Sequence, residues 1–159
     1  MIPAPDATGT DTGIRASCPY RQVLVGWDGS ADSVAALHAA AGIVGDCAGR
    51  VVAVAVLPPS ASMEQPGSGA AGSEAAAARQ SFEHARRALL LGPGTRMSLH
   101  VARGQHAAQS ICQYAADHGF DLIVLGRHGE GGLVPHRLGH VAETTARDSR
   151  IPVLLLSSS

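Results

Sequence analysis

Short, nearly all-apolar runs recur along the chain. Val23-Leu24-Val25-Gly26, Val51 to Leu57 and Asp121-Leu122-Ile123-Val124-Leu125 are brief enough to read as strands covered on both faces, and Ile151 to Leu156 reads as the last strand. Met97, Leu99 and Val101 instead alternate with Ser98 and His100, the period-two pattern of a strand with one polar face near a sheet edge. Pro152 falls near the start of the last run, where a missing N–H is tolerated.

Helical spacing fills the intervals. Val34, Leu37, Ala41 and Val44 follow Ser30, a good N-cap, with Asp32 in a first turn that favours negative charge; Gly45 and Gly49 close the segment. Ser73 and Glu74 predict the start of a helix running to about Leu91, with Glu83 and Arg87 spaced for an i,i+4 ion pair and Gly92-Pro93-Gly94 as its stop. Ala107, Ala108, Ile111 and Ala115 mark a third helix, closed at Gly119. Gly139 to about Asp148 is the fourth, with Glu143 and Arg147 spaced for a second ion pair.

Strands and helices alternate throughout, so the expected fold class is α/β: a Rossmann-like three-layer sandwich, with a five-stranded parallel sheet flanked by four helices. Right-handed crossovers put helices on both faces. Residues 1–19, rich in Pro, Gly, Thr and Asp without periodicity, read as a disordered leader before a domain over 20–157. Residues 58–73 read as a mobile loop, and Gly126 to Leu138 as a second, glycine-rich one. There are no internal repeats.

Composition narrows the partners. Aromatic residues make up only 3% of the chain, so the core is built from small aliphatic side chains. The formal net charge of -1 disfavours nucleic acid and anionic membranes as partners. All 12 basic residues are arginine, which excludes a P-loop lysine, a Schiff base and a phospho-receiver site. No apolar run approaches the length of a membrane span, and the first residues lack the pattern of a secretory signal. Cys18, Cys47 and Cys112 form no CxxC pair, so reduced thiols in a cytoplasmic protein are expected.

In an open parallel sheet, ligands bind beyond the carboxyl ends of the strands, where strand order reverses. Two loops qualify: Gly26-Trp27-Asp28-Gly29-Ser30, and Gly126-Arg127-His128-Gly129 continuing to Gly139-His140-Val141. Glycines admit close approach of an anion to the backbone, and a helix starting at Gly139 presents free N–H groups and a positive dipole end. Arg127, His128, His136, Arg137 and His140 add donors or charge, while Asp28 offers acceptors for an amine or a ribose hydroxyl. An anion with an adenine-like end would satisfy these groups.

The spacing Gly126-x2-Gly129-x9-Gly139 resembles the nucleotide motif G-x2-G-x9-G-[S/T] of the universal stress protein family. Val23 to Ser30 resembles that family's opening strand and aspartate turn, and Gly104 to Ala115 its third helix. Asp121 to Gly126 resembles its fourth strand, and Pro152 to Leu155 its last. The resemblance implies the adenine-nucleotide α-hydrolase-like variant of the fold. By resemblance, Asp28 and Val56 flank an adenine, Gly26 and Gly126 lie near the ribose, and Gly129, Gly139, His140 and Val141 near the phosphates. Trp27, Leu125, Arg127 and His128 complete the implied nucleotide site. The resemblance also implies ATP as ligand, with Mg2+ on its phosphates, and a homodimer through Ile151 to Leu156. The chain departs from the motif at His140, where the family has Ser or Thr; an imidazole there either donates to a phosphate or obstructs it.

The leading expectation is a module that binds ATP or AMP as a sensor, with little or no hydrolysis. Binding would order the loop between Gly129 and Gly139 and change a dimer or partner surface. The alternative is a nucleotide-free dimeric scaffold whose phosphate subsite is altered by His140. A slow ATPase with His128 or His140 as base ranks third, because neither has an orienting group visible in the sequence. A zinc site at His136 and His140 lacks a third ligand, and a Ser–His–Asp hydrolase lacks the G-x-S-x-G elbow at Ser30. Trp27 reads as packing or lining, and Arg86-Arg87 as a solvated helix face.

Overall fold

The computed structural model describes residues 18–45, 47–59, 69–129 and 137–158. The leader up to residue 17, most of the loop over 58–73, and the middle of the loop over 126–138 with His136 lie outside them. The elements are β1 (Gln22–Gly26), α1 (Ala31–Val44), β2 (Arg50–Leu57), α2 (Gly69–Arg87), β3 (Arg96–Arg103), α3 (Ala107–Asp117), β4 (Leu122–Gly126), α4 (His140–Asp148) and β5 (Val153–Leu156).

All strands pair in parallel, in the order β3-β2-β1-β4-β5. The chain steps outward from β1 to β3, then crosses through α3 to build β4 and β5 on the other side of β1. The three inner strands carry the continuous apolar runs because both of their faces are buried. Val23, Val25, Val51, Ala53, Leu122 and Val124 pack with α1 and with Phe82 and Ala85 of α2. The alternate residues Leu24, Val52, Val54, Ile123 and Leu125 pack with Ile111 and Ala115 of α3 on the opposite face. β3 is an edge strand, as its alternation predicts: Met97 and Leu99 pack inward while Ser98 and His100 are exposed.

Several element boundaries and pairings differ from expectation. α2 begins at Gly69, not Ser73, because the alanine-rich segment favours helix despite its glycines. It ends at Arg87 rather than Leu91, since Ala88 and Leu89 donate to carbonyls three residues back and tighten the last turn. Glu83 pairs with Arg86 at 2.9 Å, not with Arg87. Arg147 pairs with its neighbour Asp148 at 2.9 Å rather than with Glu143. β5 starts at Val153; Ile151 and Pro152 precede it, the Pro152 carbonyl accepting from Ile123 N–H. At the amino end of the sheet, Asp121 Oδ2 accepts from the amides of Arg21 and Gln22, both at 2.9 Å, and so ties the start of β1 to the start of β4.

The expectation of three reduced thiols fails. Cys18 and Cys47 are disulfide-bonded across a sequence separation of 29, which joins the segment before β1 to the segment before β2. The sequence offered no CxxC spacing because the strand pairing of β1 and β2 brings these cysteines together. Cys112 of α3 is the free cysteine among the described residues. No helix among the described residues is long and apolar enough to cross a membrane.

Reduction should lower the unfolding free energy by about 3.6 kcal/mol, the chain-entropy value for a loop of this length. Thermal melts with and without reductant check this, and Cys47→Ser should make the two melts coincide.

Candidate functional site

Strand order reverses between β1 and β4, and the loops leaving their carboxyl ends part toward opposite faces of the sheet. A cavity of about 390 Å³ opens there, within the range of small-molecule sites. Val54, Val56 and Leu125 of the sheet and Ala107 and Ile111 of α3 give it an apolar wall; Asp28, Ser30, Ser33, Arg127, His128 and His140 give it a polar one.

All twelve residues expected at a nucleotide site line this one cavity: Gly26, Trp27, Asp28, Val56, Leu125, Gly126, Arg127, His128, Gly129, Gly139, His140 and Val141. Ser30, Ser33, Val54, Ala107, Ile111 and Ala142 also line it. Ser30 was legible as the N-cap that ends the first candidate loop; the other five were not foreseen as site residues. The α3 residues arrive by packing across the sheet, which no local pattern announces.

Backbone proximity shapes the site. A Cβ on Gly126 would lie 2.6 Å from Cβ of Asp32, so the bare Cα of Gly126 is what lets the first turn of α1 rest on the end of β4. A Cβ on Gly139 would lie 3.2 Å from the Arg127 carbonyl, which accepts the Gly139 N–H at 2.7 Å. Gly139 is the N-cap of α4, and the first intrahelical bond runs from Glu143 N–H to Gly139 O at 2.9 Å. The amides of His140, Val141 and Ala142 therefore have no carbonyl partner within the helix, and all three residues line the cavity. His140 itself is exposed and leaves the cavity open beside it.

In the β1–α1 turn, Asp28 Oδ1 accepts from Ser30 N–H at 2.9 Å, and Ser30 Oγ accepts from Ser33 N–H at 3.2 Å as the N-cap of α1. Asp28 thus shapes the turn as well as lining the cavity. Trp27 is buried; its indole Nε1 donates to Ser81 Oγ at 3.3 Å and its ring meets Phe82 edge-on, so the indole belongs to the α1/α2 layer.

The expectation that no histidine has an orienting partner is overturned. Asp32, 7% exposed, lies between His128 and Ser158. Its Oδ2 accepts from the His128 amide at 3.1 Å and contacts His128 Nδ1 at 3.2 Å. Its Oδ1 accepts from the Ser158 amide at 2.7 Å and the Ser158 hydroxyl at 2.6 Å. The Ser158 hydroxyl, then its amide, hold the Asp32 carboxyl down at about 2; burial opposes this, and the His128 bonds add to it. Residues 96 and 126 positions apart meet here, and the sequence marked Asp32 only as a helix-dipole residue. Among the described residues no three His, Cys, Asp or Glu side chains cluster as metal ligands.

The sequence profile of the universal stress protein family matches residues 19–157. Among solved structures, the hypothetical protein MJ0577 is similar at 23% identity and a TM-score of 0.74, over 88% of this chain and 97% of that one. A universal stress protein in complex with cAMP is similar at 22% identity and a TM-score of 0.67, over 89% and 99%. A universal stress protein from Archaeoglobus fulgidus in complex with dAMP is similar at 21% identity and a TM-score of 0.63, over 86% and 98%. No curated protein sequence matches the chain.

Because the folded carboxyl of Asp32 titrates below its unfolded value, its stabilisation is complete above the unfolded value and is lost as pH falls toward about 2. The shift is worth about 2 kcal/mol. The stability gap between the wild type and Asp32→Asn should therefore narrow by about that amount between neutral pH and about pH 2, read by denaturant unfolding at each pH.

Proposed function

Because the chain belongs to the universal stress protein family, we propose that the cavity binds an adenine nucleotide, ATP or AMP, and that the protein is a nucleotide-responsive regulatory module with little or no hydrolysis. One observation carries this reading. The uncommitted amides of the first α4 turn line the same cavity as Gly129 and Gly139, at the crevice between β1 and β4. Such a helix start attracts anions through its N–H groups and dipole.

The wall of Val54, Val56, Ile111 and Leu125 suits an adenine face, with Asp28 beside it to accept from the exocyclic amine. Gly26 and Gly126 admit the ribose, and Gly129, Gly139, His140 and Val141 receive the phosphates. The cAMP and dAMP held by two of the similar solved proteins are adenine nucleotides too. Asp28, the one carboxylate among the described lining residues, is engaged at the adenine end in this reading, so Mg2+ would come bound to the phosphates and fill its remaining positions with water.

The exposure of His140 counts against the scaffold reading, in which the imidazole closes the phosphate subsite. The orienting contact from Asp32 favours, as a second reading, slow hydrolysis with His128 as base. Phosphate release above blank that is lost in His128→Ala would support it. β5 is an edge strand with Leu154 36% exposed, which supports a homodimer through Ile151 to Leu156.

Calorimetric titration should show ATP or AMP binding to the wild type. Gly139→Asp should weaken it more than tenfold, about 1.4 kcal/mol, by placing a carboxylate where the phosphates sit. Aspartate is a better N-cap than glycine, so helix α4 should survive the change. A wild type that binds neither nucleotide overturns the reading.

A further inference from the structure

We propose that the groove between α3 and α4 extends the nucleotide cavity, and that the full ligand is an adenosine diphosphate carrying a sugar on its second phosphate, with the sugar in the groove. The proposal rests on the nucleotide reading and names the ligand class of the same site.

The groove has a volume of about 760 Å³ and is the larger of the two cavities. Ala107, His140 and Val141 line both, so the two meet at the starts of α3 and α4. Ala107 is half-buried, and His140 and Val141 are exposed. In the nucleotide reading the phosphates lie at the start of α4, so the phosphate end of the ligand is the end that borders the groove. α3 begins at the same junction. Its N-cap, His106, makes no side-chain capping bond, and its first helical bond runs from Ser110 N–H to His106 O at 3.0 Å. The amides of Ala107, Ala108 and Gln109 therefore have no carbonyl partner within the helix, and all three residues line the groove. A second phosphate at the junction meets this helix start as well.

The lining of the groove fits a neutral, hydroxyl-rich group beyond the phosphates. Ala108, Cys112 and Ala116 recur at four-residue spacing along α3 and form a floor without bulk. Gln109 and Gln113 on α3, and Thr144 and Asp148 on α4, form polar rims at the same spacing. Amides, a hydroxyl and a carboxylate all hydrogen-bond readily to sugar hydroxyls. Formal charge cancels along the groove: its carboxylate, Asp148, already pairs with Arg147 and is balanced by the guanidinium of Arg150. Cys112 stays a neutral thiol, because burial and then Asp148 push its pKa up. A further phosphate would find little charge to meet there, and an alkyl chain would leave the rims unpaired.

The groove floor carries its own reporter. Two of the chain's three cysteines are disulfide-bonded, so Cys112 is the one thiol of the oxidised protein. The test compares ADP with ADP-ribose by titration calorimetry and follows N-ethylmaleimide labelling of Cys112 by mass spectrometry at saturation with each. The added ribose removes one negative charge from the terminal phosphate, so without groove contacts ADP-ribose should bind more weakly than ADP. The wild type should instead bind ADP-ribose about tenfold more tightly, the contribution of one or two hydrogen bonds. ADP-ribose should slow the labelling of Cys112, and ADP should not. Cys112→Phe, which fills the floor, and the double variant Gln109→Ala with Gln113→Ala, which strips one rim, should each lose the preference while keeping the wild-type affinity for ADP. Equal or weaker binding of ADP-ribose by the wild type overturns the proposal and leaves nucleotide binding intact. A preference retained in both variants does the same, as does a labelling rate that ADP-ribose leaves unchanged. A wild type that binds none of AMP, ADP, ATP and ADP-ribose overturns the proposal and the nucleotide reading together.

Discussion

The contact between Gly126 and the first turn of α1 is the constraint on which the site depends. No side chain fits between them, since a Cβ at 126 would fall 2.6 Å from that of Asp32. Direct backbone packing draws the start of α1 onto the end of β4 and closes one side of the crevice where strand order reverses. It also places the Asp32 carboxylate within reach of the loop that follows β4. Without it, the Asp32–His128 contact and the walls of the cavity would not coincide. A glycine that sequence motifs associate with ligand approach is therefore also a packing element.

Most of the architecture was legible because each inner strand is buried on both faces and each helix on one. The apolar runs at 23–26, 51–57 and 121–125 became the three inner strands, and the alternation at 97–101 became an edge. Boundaries were less legible, for local reasons. Alanine extended α2 ahead of Ser73, and the extra turn expected at its end was replaced by bonds of three-residue span. The ion pairs shifted to Arg86 and Asp148 because several partners stood within reach on each helix and side-chain rotamers chose among them.

The site divides in the same way. Residues carried by the two loops were largely legible because glycine spacing and a helix start encode them locally; Gly26, Asp28, Gly126, Arg127, His128, Gly129, Gly139 and His140 line the cavity, whereas Gly29 and Arg137 are not among its lining residues. Residues contributed through packing were not. Ile111 and Ala107 come from a helix laid over the opposite face of the sheet, and Ser158 from a segment 126 positions beyond the aspartate it binds. The Cys18–Cys47 bond escaped for an equivalent reason: adjacency of strand starts, not chain spacing, sets it.

That bond lies at the amino ends of β1 and β2, while the cavity opens at the carboxyl ends, about 17 Å away along a five-residue strand. A covalent staple there restricts the unfolded chain and leaves the geometry of the distant crevice alone. Redox state and ligand chemistry thus act on opposite poles of the molecule. Opening the staple would lower the stability of the fold from the pole opposite the cavity.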